Sequence, residues 1–134
     1  MTTLVQRLST AIVADDDELG RVLLAESAAA AGLVCQSFGD GAEALGAALQ
    51  SNVAIALLDV SMPGMDGFEV CRRLRADPGT RHVPVVIISA LDDDESRSKA
   101  ARAGANAYYT KPFSPIALLK EIDRLKERMV SNST

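Results

Sequence analysis

Five short apolar runs alternate with five stretches of helical spacing, and this alternation limits the possible folds more than any other feature of the chain. The runs are Ala11 to Ala14, Val34 to Phe38, Ala54 to Leu58, Val85 to Ile88 and Ala107 to Thr110. Leu19, Val22, Leu23 and Glu26 open the first helical stretch, which continues through Ala28 to Ala31 and stops at Gly32, placed just beyond the helix end. The second starts at Asp40-Gly41-Ala42-Glu43, an acid cap followed three residues on by Glu. A third begins near Gly67 and ends before Asp77-Pro78, because the residue before proline avoids helical geometry. The fourth begins at the Asp92 block, and the fifth runs from about Ser114 to Met129. Single helices between successive strands mean βαβ units, parallel pairing and right-handed crossovers.

Strand composition orders the sheet. The first, third and fourth strands are almost purely apolar, as expected where helices cover both faces. VCQSF and AYYT carry polar residues and belong at the edges. The expected fold is α/β, a flavodoxin-like (βα)5 three-layer sandwich with a parallel five-stranded sheet in the order 2-1-3-4-5. In such sheets functional groups gather beyond the carboxyl ends of the central strands.

A chain of 134 residues with 48% hydrophobic content suits one domain with one core. Its net charge of −4 argues against direct binding to nucleic acid or to an anionic membrane, both of which select basic surfaces. No stretch approaches the roughly 18 apolar residues of a membrane span. MTTLVQRLST lacks the long apolar region of a signal peptide, so the expected location is cytoplasmic. Cys35 and Cys71 lie far apart without CxxC spacing, and His82 is the single histidine. These residues suit two reduced thiols rather than a zinc site.

The segment LLDVSMPGMDG, residues 57 to 67, sets an acid at the end of the most apolar strand. An unpaired carboxylate at the rim of a core costs several kcal/mol, so Asp59 needs a partner. The 2-1-3-4-5 order supplies candidates: Asp15 and Asp16 follow strand one, Ser89-Ala90 ends strand four, and Lys111-Pro112 follows strand five. Three convergent carboxylates favour protonation or a divalent cation. Oxygen-only ligands select a hard ion, most simply Mg²⁺, with Mn²⁺ as its substitute. Carboxylates, such a cation, a lysine and a hydroxyl together suggest phosphoryl chemistry with Asp59 as the nucleophile.

IVADDDE, LLDVSMPGMDGFEVCRRLR, VPVVIISA and GANAYYTKPF, in this order and spacing, resemble the receiver domain of two-component response regulators, including the chemotaxis regulators. The resemblance covers roughly residues 9 to 128. It implies that Asp59 is the phosphoacceptor and that Asp16 and Asp59 ligate Mg²⁺ by side chain. Asp15 would help through water, and the Ser61 backbone carbonyl would be a third protein ligand. It further implies that Ser89 and Lys111 contact phosphoryl oxygens, that Lys111-Pro112 is cis, and that Tyr108 is the aromatic switch, turning inward as Ser89 moves. The phosphoryl donor would be a sensor histidine kinase or a histidine phosphotransfer protein. The response would leave through the fourth helix, fifth strand and fifth helix. That face is also the candidate homodimer surface, and the recipient is a downstream protein target or a fused output domain outside this chain.

Plainer readings stand beside these. Asp17 and Glu18 are acids at a helix N-terminus, Asp92 to Glu95 form a solvated first turn, and Cys35 and Cys71 are packing residues. His82 sits in a loop with no donor-site pattern around it. On the fifth helix Leu118 and Ile122 pack on the sheet, while Leu125 and Met129 come late enough to begin a dimer contact or a linker. The expected organisation is an N-terminal extension over 1–8, the receiver domain over 9–129 and a polar tail over 130–134, with no room for an output domain. Two other functions compete. A haloacid-dehalogenase-type phosphatase needs a second aspartate at the position of Ser61 as general acid. A phosphorylation-independent binding module would lack one of the acids or Lys111, and all are present.

Overall fold

The computed structural model describes the backbone of residues 10–133 and the side chains of residues 10–127. The expected extension over 1–8, Met129 as a side chain and the last residue of the tail lie outside the described residues. Five strands, β1 (Thr10–Ala14), β2 (Val34–Phe38), β3 (Val53–Asp59), β4 (Val85–Ser89) and β5 (Ala107–Thr110), alternate with five helices. These are α1 (Glu18–Ala30), α2 (Gly41–Leu49), α3 (Gly67–Ala76), α4 (Asp94–Ala103) and α5 (Pro115–Ser133). All strand pairs are parallel, in the order β2-β1-β3-β4-β5, as strand composition required.

Burial follows the same logic. Every residue of β3 and β4 is buried, whereas β2 is largely exposed and β5 half-buried. One face of the sheet packs Ile12, Ala56, Leu58 and Ile87 against α2, α3 and α4 through Leu45, Phe68, Leu74 and Ala100. The other face packs Val13, Leu57 and Ile88 against α1 and α5 through Leu24, Ala28, Leu118 and Ile122.

The helix ends are set locally. Asp17, Asp40, Asp66 and Asp93 each accept a backbone N–H of the first turn that follows. Gly32, with φ 86°, takes the place just beyond α1. Its N–H and that of Leu33 close back on Ala29 O and Ala28 O at 2.9 and 3.1 Å.

Two expectations for the fifth helix change. The helix continues through Ser133, four residues past its expected end, because the sequence after Met129 holds no glycine or proline to stop it. Leu125 is 1% exposed and part of the core, so it starts no external contact. Its spacing from Ile122 keeps it on the inward stripe, where α5 lies along α1. The acidic block also proves more differentiated than a solvated turn: Asp93 caps α4 and Asp92 pairs with Arg97 at 2.6 Å. Both cysteines are free, and each donates its thiol to a backbone carbonyl, Cys35 to Ala25 and Cys71 to Ala103.

At the amino ends of the strands, one guanidinium ties three segments together. Arg75 donates from Nε to Gly104 O at 3.0 Å and from Nη1 to Val83 O and Arg81 O at 2.6 and 3.1 Å. Its Nη2 donates to Asn106 Oδ1 at 2.9 Å, and that oxygen also accepts Val85 N–H at 2.8 Å. The loops that lead into β4 and β5 therefore share a single fastening. Arg75→Ala is expected to lower the unfolding free energy by about 2–3 kcal/mol in a urea titration, since it removes charge-assisted bonds to partly buried carbonyls. Arg75→Lys should recover only part, because an ammonium lacks the planar fork. Parental stability in Arg75→Ala would refute this account.

Candidate functional site

Because the strands are parallel, the residues that follow them meet at one end of the sheet. Asp15 follows β1 directly and is wholly buried. Its N–H donates to Phe38 O at 3.1 Å, its Oδ1 accepts Asp17 N–H at 2.9 Å, and its carbonyl accepts Arg21 Nη1 at 2.9 Å. Asp59 is the last residue of β3 and 4% exposed. Its backbone lies against Gly67 at the start of α3: a Cβ there would overlap Asp59 O and stand 3.0 Å from its carbonyl carbon. Glycine at 67 is thus required for α3 to begin so close behind the acid. Asp16 is exposed, and one carboxylate oxygen from each of Asp15, Asp16 and Asp59 lies within 4.8 Å of the others.

Lys111 comes from the far side of the sheet. Its N–H donates to Ser89 O at 2.8 Å, and the Lys111-Pro112 peptide bond is cis. Its Nζ donates to Asp15 Oδ2 at 2.8 Å and stands 3.5 Å from Asp59 Oδ1. Ser89 ends β4 fully buried, and its Oγ accepts Leu91 N–H at 3.0 Å. Leu91 O in turn accepts the Tyr108 hydroxyl at 2.7 Å, while the Arg97 guanidinium stands 5.0 Å from the centre of the Tyr108 ring. Ser61 is exposed in the loop after β3, between the buried Val60 and Met62.

The structure thus brings Asp15, Asp16, Asp59 and Lys111 into one cluster, with Ser89 on the neighbouring strand end. Tyr108 joins through the Leu91 backbone rather than by contact with the acids. His82 is an exposed loop residue. Sequence reasoning missed three participants: Gly20 behind Asp15, Arg21 on the Asp15 carbonyl, and Leu91 as the link between Ser89 and Tyr108. Of these only Gly20 carried a sequence signal, a glycine in the first turn of a helix directly after an acidic block.

Electrostatics follow from this packing. Burial is the main force that raises the Asp59 carboxyl from its ordinary 3.8 to about 6, with the Asp15 charge adding to it and Lys111 opposing. For Lys111, burial pulls the ammonium down, but the Asp15 hydrogen bond and the Asp59 charge outweigh it and the net pKa is raised. With all groups ionised, three acids against one ammonium leave two negative charges. The donors are all oxygens, so the cluster of Asp15, Asp16 and Asp59 has the chemistry that suits a hard divalent cation.

The family model described as "Response regulator receiver domain" matches residues 11–123. Response regulator PleD of Caulobacter vibrioides is 42% identical over 114 residues, which are 85% of this chain and 25% of that protein. Among solved structures, the receiver domain of Francisella response regulator 1452 superposes with a TM-score of 0.81 at 31% identity, covering 90% of this chain and 98% of that one. The BeF3-activated DrrB receiver domain gives 0.82 at 30% identity, covering 90% and 99%. The chain spans a quarter to about half of the length of the curated relatives it matches.

The raised Asp59 pKa has a consequence for stability. In the unfolded chain this carboxyl loses its proton near 3.8, in the folded protein only at about 6. The unfolded state is therefore favoured as pH rises between these values, and the penalty is complete above 6. Asp59→Asn should raise the stability of the metal-free protein by about 2–3 kcal/mol at pH 7.5, at 1.36 kcal/mol per pKa unit. The gain should vanish near pH 4. Thermal unfolding at the two pH values, with chelator present, checks both statements.

Proposed function

The chain belongs to the family of response regulator receiver domains, and we propose that it is the phosphorylation-activated switch of a two-component phosphorelay. The observation that carries this reading is the convergence of the buried Asp59 and Asp15 with Asp16 and Lys111 in one cluster at the carboxyl ends of the strands. A carboxylate oxygen of Asp59 attacks the phosphorus of a phosphohistidine on a sensor kinase or histidine phosphotransfer protein. As the O–P bond forms, the P–N bond breaks and its electron pair returns to the imidazole nitrogen, which takes up a proton. Asp16 and Asp59 by side chain and Ser61 by its backbone carbonyl would hold Mg²⁺ or Mn²⁺, with Asp15 helping through water, and the ion would supply charge neutralisation for the phosphoryl oxygens. Lys111, already raised in pKa and aimed at Asp59, pairs with another of those oxygens.

Ser89 turns the chemistry into a signal. To hydrogen-bond the phosphoryl group its hydroxyl moves toward Asp59, which weakens the bond from Leu91 N–H. Leu91 also holds Tyr108, so the rearrangement passes to α4, β5 and α5, the face that controls a downstream protein, a fused output domain or a second copy. The BeF3 activation of the DrrB receiver domain supports this reading, since beryllium trifluoride mimics a phosphoryl group. The phosphodonor needs a separate approach. A groove of about 380 Å³ opens between α1 and α5 beside Lys111, lined by Leu19, Leu23, Phe113, Ile116 and Leu119. Leu19 and Ile116 are 66% and 67% exposed there, an apolar face suited to a partner helix.

Intact mass after incubation with acetyl phosphate tests the site. One phosphoryl adduct is expected with Mg²⁺, none with EDTA and none on Asp59→Asn. Lys111→Ala should still be labelled but should lose the accompanying chemical-shift changes in α4 and β5. An undiminished adduct on Asp59→Asn would show that the phosphoacceptor is another residue. The groove has its own check: Ile116→Glu should slow transfer from a phosphorylated donor protein at least tenfold while labelling by acetyl phosphate stays at the parental rate.

A further inference from the structure

Gly20 is the third residue of α1, and its N–H completes the helix cap by donating to Asp17 Oδ2 at 2.8 Å. Helix propensity disfavours glycine there, so its presence calls for a spatial reason. A Cβ built on Gly20 would overlap Asp15 Oδ2, stand 3.1 Å from Asp15 Cγ and 3.2 Å from Asp17 Oδ2. These three nearest heavy atoms all belong to Asp15 and Asp17, and the one overlap is with Asp15, so the tightest constraint comes from that acid. The Asp15 carboxylate has nowhere to retreat. Its Oδ1 is held by Asp17 N–H at 2.9 Å, its Oδ2 by Lys111 Nζ at 2.8 Å, and the residue is wholly buried. Any side chain at position 20 would force it to give up one of those bonds.

We infer that Gly20 is a positioning residue whose missing Cβ is the space that lets the Asp15 carboxylate meet Lys111 and complete a cation-binding face with Asp16 and Asp59. The cation part of this inference rests on the function proposed above; the steric part stands on the packing alone. Gly20 thereby acts on the site only through Asp15 and touches no reacting atom.

Two measurements on Gly20→Ala, Asp15→Ala and the double variant test it. Calorimetric titration of the parent and Gly20→Ala with Mg²⁺ alone should show a dissociation constant about tenfold weaker in the variant, a coupling of ~1.4 kcal/mol. Thermal unfolding with EDTA provides the second arm. In the Asp15→Ala background the overlap with Asp15 is gone, only the 3.2 Å approach to Asp17 Oδ2 remains, and Gly20→Ala should raise Tm by about 2–4 °C through helix propensity. In the parent background the same substitution should fail to raise Tm or should lower it. A parental Mg²⁺ constant in Gly20→Ala, or an equal Tm rise in both backgrounds, would overturn the inference and leave Gly20 with a purely helical role. If the parent binds no Mg²⁺, the cation reading of the site falls, while the Tm comparison still decides whether Gly20 makes room for Asp15.

Discussion

The Lys111 ammonium stands 2.8 Å from Asp15 and 3.5 Å from Asp59, and these two pairs hold together a site that would otherwise destabilise the protein. Both acids are buried at the ends of apolar strands. An uncompensated charge in that position costs several kcal/mol, and the loss of one partner leaves the other stranded. The parallel sheet makes the compensation possible. All its strands point their carboxyl ends the same way, so a lysine after β5 reaches an aspartate after β1 across a separation of 96 residues. The balance is incomplete, because one cation faces three acids. That residual charge suits a hard divalent ion, and burial, with the Asp15 charge added to it, keeps Asp59 hard to ionise.

The two ends of the sheet do different work. At the amino ends, Arg75 fastens the loops before β4 and β5 through neutral carbonyl and amide acceptors, with no acid in its network. These are the strands that deliver Ser89 and Lys111 to the opposite end. At the carboxyl ends the links include the charged pairs of Lys111 with Asp15 and Asp59, and the Leu91 backbone carries two neutral ones, to Ser89 and to Tyr108.

Several features were legible before any coordinates. The polar residues in VCQSF and AYYT marked the edge strands because a central parallel strand has no solvent face on which to place them. The aspartate before α2, the glycine after α1 and the acid at the end of β3 were legible because each is a local rule of caps and strand ends. Other features were not. Leu19, Val22 and Leu23 look like core in the sequence, yet they are 66%, 46% and 41% exposed, because only the Gly20, Leu24, Ser27 and Ala28 stripe of α1 faces the sheet. Leu125 shows the reverse: late in the chain, it is still covered because α5 runs along α1, where Lys126 reaches Ala31 O at 2.5 Å.

By itself the sequence determined the fold class, the strand order and the chemical types gathered at one end of the sheet. Those depend on apolar periodicity and on which residues follow each strand, and both are properties of short segments. Only the tertiary structure decided that Asp15 rather than Asp16 is the buried acid, that Lys111 lies nearer Asp15 than Asp59, and that Gly20 leaves room for that contact. Nothing local distinguishes two adjacent aspartates. The distinction arises from contacts of about 3 Å between segments far apart in sequence, and at that range a few tenths of an ångström change which charge is paired.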